Sequence, residues 1–122
     1  MDRLMEERIA RNDAAFRSAN ENIAEAAAEI HVDGALPFIC ECANRECNEI
    51  VMLTASDYES VRTDSRHFLI VPGHQSAEQN VGEVAERHEN YIVYEKRGHA
   101  GDVAEQLDER AHLVSVDDEA AA

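Results

Sequence analysis

Residues 38–47 read Phe38-Ile39-Cys40-Glu41-Cys42-Ala43-Asn44-Arg45-Glu46-Cys47 and contain all three cysteines of the 122-residue chain. On an extended strand, side chains two residues apart point to the same side, so Cys40 and Cys42 would present their sulfurs together. A tight turn over the next four residues can bring the Cys47 thiolate within about 4 Å of them. Three thiolates placed in this way are typical of a tetrahedral zinc site that takes one more ligand. The segment therefore predicts a zinc knuckle.

Six histidines compete for the fourth position: His31, His67, His74, His88, His99 and His112. His74 comes after the apolar run 67–71 and a Pro-Gly turn, which would place its imidazole at the end of a strand. We therefore predict a metal site made of Cys40, Cys42, Cys47 and His74. His67, His88 or a water stay open as alternatives for the fourth ligand. The cysteines could instead be free buried thiols or a transient redox disulfide.

The chain is strongly acidic, with 26 acidic against 11 basic residues and a formal net charge of −15. This charge repels phosphate backbones and anionic headgroups, so neither nucleic acid nor a membrane is an expected partner. No apolar run reaches the roughly 18–20 residues that span a bilayer, and the charged first residues do not look like a secretory signal. An odd number of cysteines fits reduced thiols. We therefore expect a cytoplasmic protein.

A single domain of this length has a modest core, with three Phe, three Tyr and no Trp. Zinc binding in small zinc peptides contributes on the order of 10 kcal/mol, which is comparable to the whole stability of a typical domain. We therefore expect the metal to decide whether the domain folds.

Residues 2–31 contain no Gly or Pro and predict one long helix, with Gly34 as a left-handed stop after it. Two sets of positions with seven-residue spacing form an apolar seam along this helix: Ile9, Phe16, Ile23 and Ile30, with Met5, Asn12, Ala19 and Ala26 between them. Such a seam would pack either on the protein's own sheet or against the helix of a second copy or another protein.

The rest of the pattern predicts an α+β fold with a small, mostly antiparallel sheet of four or five strands and two short helices. Strands are expected at 36–40, 50–53, 67–71, 81–87 and 91–96. One short helix should follow the capping signals at Thr54 and Ser56, and the other should start at Asp102. We expect an N-terminal helix over 1–33, a zinc-stabilised α+β domain over 34–110 and a disordered acidic tail over 111–122.

Four motifs support a resemblance: Phe38-x-Cys40-Glu41-Cys42-x4-Cys47, Leu53-Thr54-x3-Tyr58-Glu59-x-Val61-Arg62, Phe68-x2-Val71-Pro72-Gly73-His74 and the stretch Tyr91–Lys96. With them, the chain resembles a family of small, largely uncharacterised bacterial proteins over roughly residues 11 to 110. The Cys-Glu-Cys knuckle and the Pro-Gly-His turn are the most specific parts. The resemblance implies no activity or substrate. It does imply that the three cysteines share one site with His74.

Three classes of function follow from the predicted site. The leading interpretation is a non-enzymatic zinc-binding protein, a protein-interaction or regulatory module with a structural Cys3His site, because three thiolates weaken the Lewis acidity of zinc. Its partner would be a protein, or a second copy bound through the N-terminal helix. A thiol/zinc redox sensor is the alternative. A zinc-dependent enzyme with Glu41, Glu46 or His88 as acid–base groups is the third class, although both glutamates also fit solvated loop charges.

Overall fold

The structure is a computed structural model, and it describes residues 3–31 and 33–110. Along these residues, three α-helices, five strands and one short 3-10 helix follow one another: α1 (Arg3–Glu29), β1 (Ala35–Ile39), β2 (Ile50–Thr54), α2 (Ala55–Val61), β3 (His67–Ile70), the 3-10 helix (His74–Glu78), β4 (Gly82–Arg87), β5 (Ile92–Lys96) and α3 (Gly98–Gln106). The predicted α+β class is confirmed. The predicted acidic tail over 111–122 lies outside the described residues. None of the described helices has the length and apolar character to cross a bilayer.

The five strands form two antiparallel sheets rather than one. β1 pairs with β2, and β5 lies between β3 and β4. The two sheets meet where the chain leaves β1. There the N–H of Glu41 donates to the carbonyl oxygen of Leu69 at 2.7 Å, and the N–H of Val71 donates to Cys40 Sγ at 3.2 Å. The cysteine segment therefore bridges the two sheets.

The long helix buries a face that is turned by about one residue from the predicted seam. Its buried residues are Ile9, Ala10, Asp13, Ala14, Arg17, Asn20, Glu21, Ala24 and Ala27. Of the predicted seam only Ile9 is fully buried, whereas Ile30 is 72% exposed. The helix also ends before the predicted stop, at Glu29, and His31 takes a left-handed φ of 55° just after it. Apolar spacing misjudged this face because four of its buried side chains are polar or charged.

Two of these polar side chains fix α1 to the backbone of other elements. Arg17 donates to the carbonyl oxygens of Ser65 at 2.7 Å and Ala104 at 2.9 Å. Asn20 exchanges two hydrogen bonds of 2.7 Å with the N–H and carbonyl oxygen of Ile39, as a neighbouring strand would do. Buried polar groups that find such partners avoid the cost of losing their hydration. These bonds set the rotation of the helix on the domain.

A third polar contact of α1 is a fully buried charge cluster. The Nζ atom of Lys96, the only lysine of the chain, lies 2.5 Å from Asp13 Oδ2 and also pairs with Glu78. Burial raises the pKa of Asp13 well above its ordinary value, although the nearby Lys96 opposes this. Burial tends to lower the pKa of Lys96, but attraction to both carboxyl groups outweighs it and raises the pKa. Two carboxyl groups therefore face one buried ammonium group, and a proton on one of them would leave the cluster neutral, as a dry interior favours.

The second half of the chain follows the predicted pattern closely. Thr54 caps α2 by accepting the N–H of Asp57 at 3.1 Å, and Tyr58 is buried in the core, where its ring stacks on Phe38 at 4.5 Å. The last helix is the exception, since α3 begins at Gly98 rather than at Asp102. Gly98 makes the turn into it with a φ of 59°, which glycine adopts without strain.

Asp108 offers a test of the buried polar contacts by pH. It accepts hydrogen bonds from Ser65 Oγ at 2.6 Å and from Arg62 Nη2 at 2.8 Å. Burial tends to raise the pKa of Asp108, but these two partners outweigh it and lower the pKa to about 2. The pKa of Asp108 is lower in the folded protein than in the unfolded chain. Its contribution to the free energy of unfolding is therefore fully present above the unfolded-state pKa, and it is lost as the pH falls through the folded-state pKa.

We expect Asp108→Asn to lower the free energy of unfolding by about 2 kcal/mol near neutral pH and by about half as much near pH 3. Urea unfolding at the two pH values measures the difference. Glu109→Gln, at an exposed neighbouring position, is the matched control and should change little. A loss for Asp108→Asn that does not depend on pH would contradict this assignment.

Candidate metal centre

The two segments that supply the predicted ligands converge between the sheets. After β1 the chain turns tightly, with the N–H of Cys47 donating to the carbonyl oxygen of Asn44 at 3.0 Å, and this turn returns Cys47 toward Cys40 and Cys42. His74 begins the 3-10 helix directly after Gly73, whose φ of 96° belongs to the left-handed region that favours glycine. The Pro-Gly-His turn therefore places the His74 imidazole next to the cysteine turn.

The four donor atoms have the spacing of a tetrahedral metal site. His74 Nδ1 lies 3.8 Å from Cys40 Sγ, 4.0 Å from Cys42 Sγ and 3.5 Å from Cys47 Sγ. All four donor atoms lie within 4.8 Å of one another. A zinc ion binds sulfur at about 2.3 Å and nitrogen at about 2.0–2.1 Å. At tetrahedral angles, these bonds would separate a sulfur from the nitrogen by about 3.6 Å. The observed separations bracket this value, so the group fits one four-coordinate ion.

The electrostatics of the three thiols also favour a cation. A hydrogen bond with the Cys40 thiol lowers the pKa of Cys42 to about 5, and the same bond raises the pKa of Cys40. Burial raises the pKa of Cys47. Repulsion from a negatively charged Cys42 contributes to the raised pKa of both Cys40 and Cys47, because adjacent thiolates in a buried place repel one another. A divalent cation would remove this repulsion and release the remaining protons.

The other described histidines lie outside this cluster. Three of them pair with carboxylates: His67 with Asp64 and Glu95, His88 with Glu86, and His99 with Glu7. The donor atoms of Asp64, His67 and Glu95 also lie within 4.8 Å of one another. However, Glu95 also accepts a hydrogen bond from Arg97 at 3.0 Å, so this group fits a surface ion-pair network. His31 follows the end of α1, and His112 lies outside the described residues.

Glu41, between two predicted ligands, is fully buried, and the expectation of a solvated loop charge was wrong for it. Its Oε2 atom accepts hydrogen bonds from Tyr58 Oη at 2.7 Å and Asn20 Nδ2 at 2.8 Å, and its Oε1 atom accepts one from the Leu69 N–H at 2.9 Å. Burial raises the pKa of Glu41 against the effect of these bonds. The strand alternation that points two thiols to one side points this carboxyl group to the other, so the Cys-Glu-Cys spacing contained the signal.

Glu78 is a second important residue that the sequence did not single out. Its Oε2 atom accepts the N–H of Ala43 at 2.6 Å, while its Oε1 atom pairs with Lys96. Because Ala43 follows Cys42 directly and Glu78 ends the 3-10 helix that begins at His74, this carboxylate joins the two ligand segments. No local pattern distinguishes Glu78 from the many exposed glutamates of the chain.

We expect Glu41→Gln to lower the free energy of unfolding by about 2 kcal/mol, because an amide has one acceptor oxygen for three buried donors and leaves at least one without an acceptor. Chemical denaturation of the metal-loaded protein measures this loss. Glu46→Gln, at an exposed position of the same turn, is the control and should stay within about 0.5 kcal/mol of the parent protein. Equal stabilities for the two variants would show that the buried contacts of Glu41 contribute nothing.

Comparisons with known proteins returned no relatives: no family model matches the chain, no curated protein matches it, and no solved structure matches it. The resemblance to a bacterial family therefore stays a prediction. The functional argument depends on the site itself.

Proposed function

We propose that Cys40, Cys42, Cys47 and His74 hold one zinc ion, and that this ion is a structural cross-link in a small, non-enzymatic protein-interaction or regulatory module. The observation that supports this proposal is the convergence of four donor atoms within 4.8 Å from two segments, with His74 27 positions after Cys47. Soft thiolates together with one imidazole match the ligand preference of zinc. One ion at this point would tie the β1–β2 sheet to the strand that precedes His74.

A structural role fits this donor set better than a catalytic one. Four protein ligands complete a tetrahedral shell, whereas hydrolytic zinc sites keep one position for water. Three thiolates donate charge to the ion and weaken its action as a Lewis acid. Glu41, the carboxyl group between Cys40 and Cys42, is buried in the interior and bonds to Tyr58, Asn20 and Leu69 there. These features support a cross-link rather than a reaction centre.

The interaction role is supported by apolar side chains that the fold leaves exposed. Leu4 and Ile30 lie near the two ends of α1, and Ile50 and Met52 lie on the outer face of β2. Because α1 packs the face with its buried polar side chains on its own domain, a partner or a second copy would meet the helix at these ends.

Sedimentation of the protein and of Ile30→Glu tests self-association through the helix, and equal masses for the two would contradict it.

A thiol/zinc redox sensor is the second candidate, favoured by access to the donors. Cys47 is half-buried, and a cavity of about 150 Å³ is lined by both Cys42 and His74. A peroxide entering there would oxidise two thiols to a disulfide, be reduced to water and free the metal. Metal release at low peroxide concentrations would favour this sensor, and resistance to peroxide would favour the cross-link alone.

Removing one ligand tests the structural proposal. We expect Cys42→Ser to lower the free energy of unfolding of the metal-loaded protein by at least about 3 kcal/mol, because three ligands hold zinc more weakly than four. Thermal melts should be recorded for both proteins with zinc and again after chelation. After chelation most of the difference should disappear, and only the smaller cost of a hydroxyl in place of a buried thiol should be left. A difference of the same size with and without metal would mean that Cys42 acts through packing.

A further inference from the structure

A groove lies beside the candidate metal centre. It has a volume of about 520 Å³ and lies between the first half of α1 and the two ligand segments. Ile9 and Ala43 give it apolar walls, and Asn12 and Gln79 give it amide groups. The Nδ2 atom of Asn12 donates to the carbonyl oxygen of Cys42 at 3.2 Å, which joins the helix to the cysteine turn at this place. The volume is within the range of small-molecule sites.

The charge of the groove is opposite to that of the protein. Among the described residues, two arginines, Arg8 and Arg45, line it, and no carboxylate does. Within residues 3–31 and 33–110, the side chain of neither arginine forms an ion pair or a hydrogen bond, whereas Arg62, Arg66 and Arg97 all pair with carboxylates. In a chain with 26 acidic residues, two unpaired guanidinium groups at one concave place form a local excess of positive charge. Such a place attracts an anion that the rest of the surface repels.

We propose that this groove binds a small organic phosphate, a phosphate monoester with an apolar or aromatic body. A guanidinium group matches the oxygens of phosphate in a forked pair of hydrogen bonds, and two of them balance a charge near −2. The apolar walls at Ile9 and Ala43 would cover the organic part of the molecule. The proposal depends on the groove and its arginines, and it goes beyond the role of the metal.

Isothermal titration calorimetry with phenyl phosphate as the probe tests the proposal on the full chain as purified. We expect binding to the parent protein and at least about tenfold weaker binding to the double variant Arg8→Gln and Arg45→Gln, because each guanidinium group makes charge-assisted hydrogen bonds. Arg87→Gln is the control with the same type of charge change, since Arg87 is exposed and does not line the groove. It should bind within about twofold of the parent.

Four results would overturn the proposal. The parent protein could fail to bind phenyl phosphate, or Arg87→Gln could lose as much affinity as the double variant, which would indicate a general effect of surface charge. Inorganic phosphate could bind as tightly as phenyl phosphate, which would mean that the organic part is not recognised. Benzoate could also bind as tightly as phenyl phosphate, which would mean that the groove does not select a doubly charged anion.

Circular dichroism of each variant separates a lost contact from a lost fold. Chemical-shift changes confined to the groove on adding phenyl phosphate would support the proposal without any variant.

Discussion

Four donor atoms that must share one small volume set the strongest constraint on this structure. Three sulfurs and one imidazole nitrogen come from two separate segments and meet within 4.8 Å. Bringing them together requires the chain to leave β1, turn back within a few residues and approach the end of β3. The backbone contact between Glu41 and Leu69 and the bond from Val71 to the Cys40 sulfur follow from that approach. A bound cation would stabilise the arrangement by removing the repulsion among the thiolates.

Cys40 and Cys42 pack in the hydrophobic core, and polar contacts on both sides of them help to define where α1 lies. On one side of the cysteine segment, Asn20 donates to the Glu41 carboxyl group. On the other side, Glu78, which pairs with Lys96, accepts the N–H of Ala43 in the cysteine turn. A buried polar network that is satisfied in one arrangement leaves unpaired groups in any other, so it favours a single position of the helix. Apolar contacts are not directional, so they alone would allow the helix to rotate about its own axis. The candidate metal centre, the helix and the groove at Arg8 and Arg45 are thus parts of one connected region.

Local chemistry made much of this site predictable from the sequence. Strand alternation places Cys40 and Cys42 on one side, a short turn returns Cys47, and a Pro-Gly turn at a strand end presents His74. The structure brings these four residues together. Strand and turn signals also located the five strands, because each depends on a few neighbouring residues. The capping pattern at Thr54 predicted α2 for the same reason.

The features that escaped prediction depend on partners far away in the sequence. Apolar spacing placed the wrong face of α1 inward, because it treats Asp13, Arg17 and Asn20 as solvated. Their partners lie between 19 and 87 positions away, so no local rule could show that these side chains meet them in the interior. The division of the strands into two sheets has the same cause, since it is set by how the cysteine segment meets β3. Glu41 could be predicted only in part. Strand alternation gives the direction of its side chain, but its burial depends on contact with α1 through Asn20.

The most direct test of the central claim is the metal content of untagged, freshly purified and reduced protein, measured by elemental analysis beside His74→Ala and His88→Ala. The account predicts one zinc ion for each chain in the parent protein and in His88→Ala, since His88 lies on an exposed hairpin. It predicts that His74→Ala loses the ion or holds it more weakly, because one of four ligands is gone. Absence of metal from the parent protein, or an equally tight ion in His74→Ala, would contradict the Cys3His site.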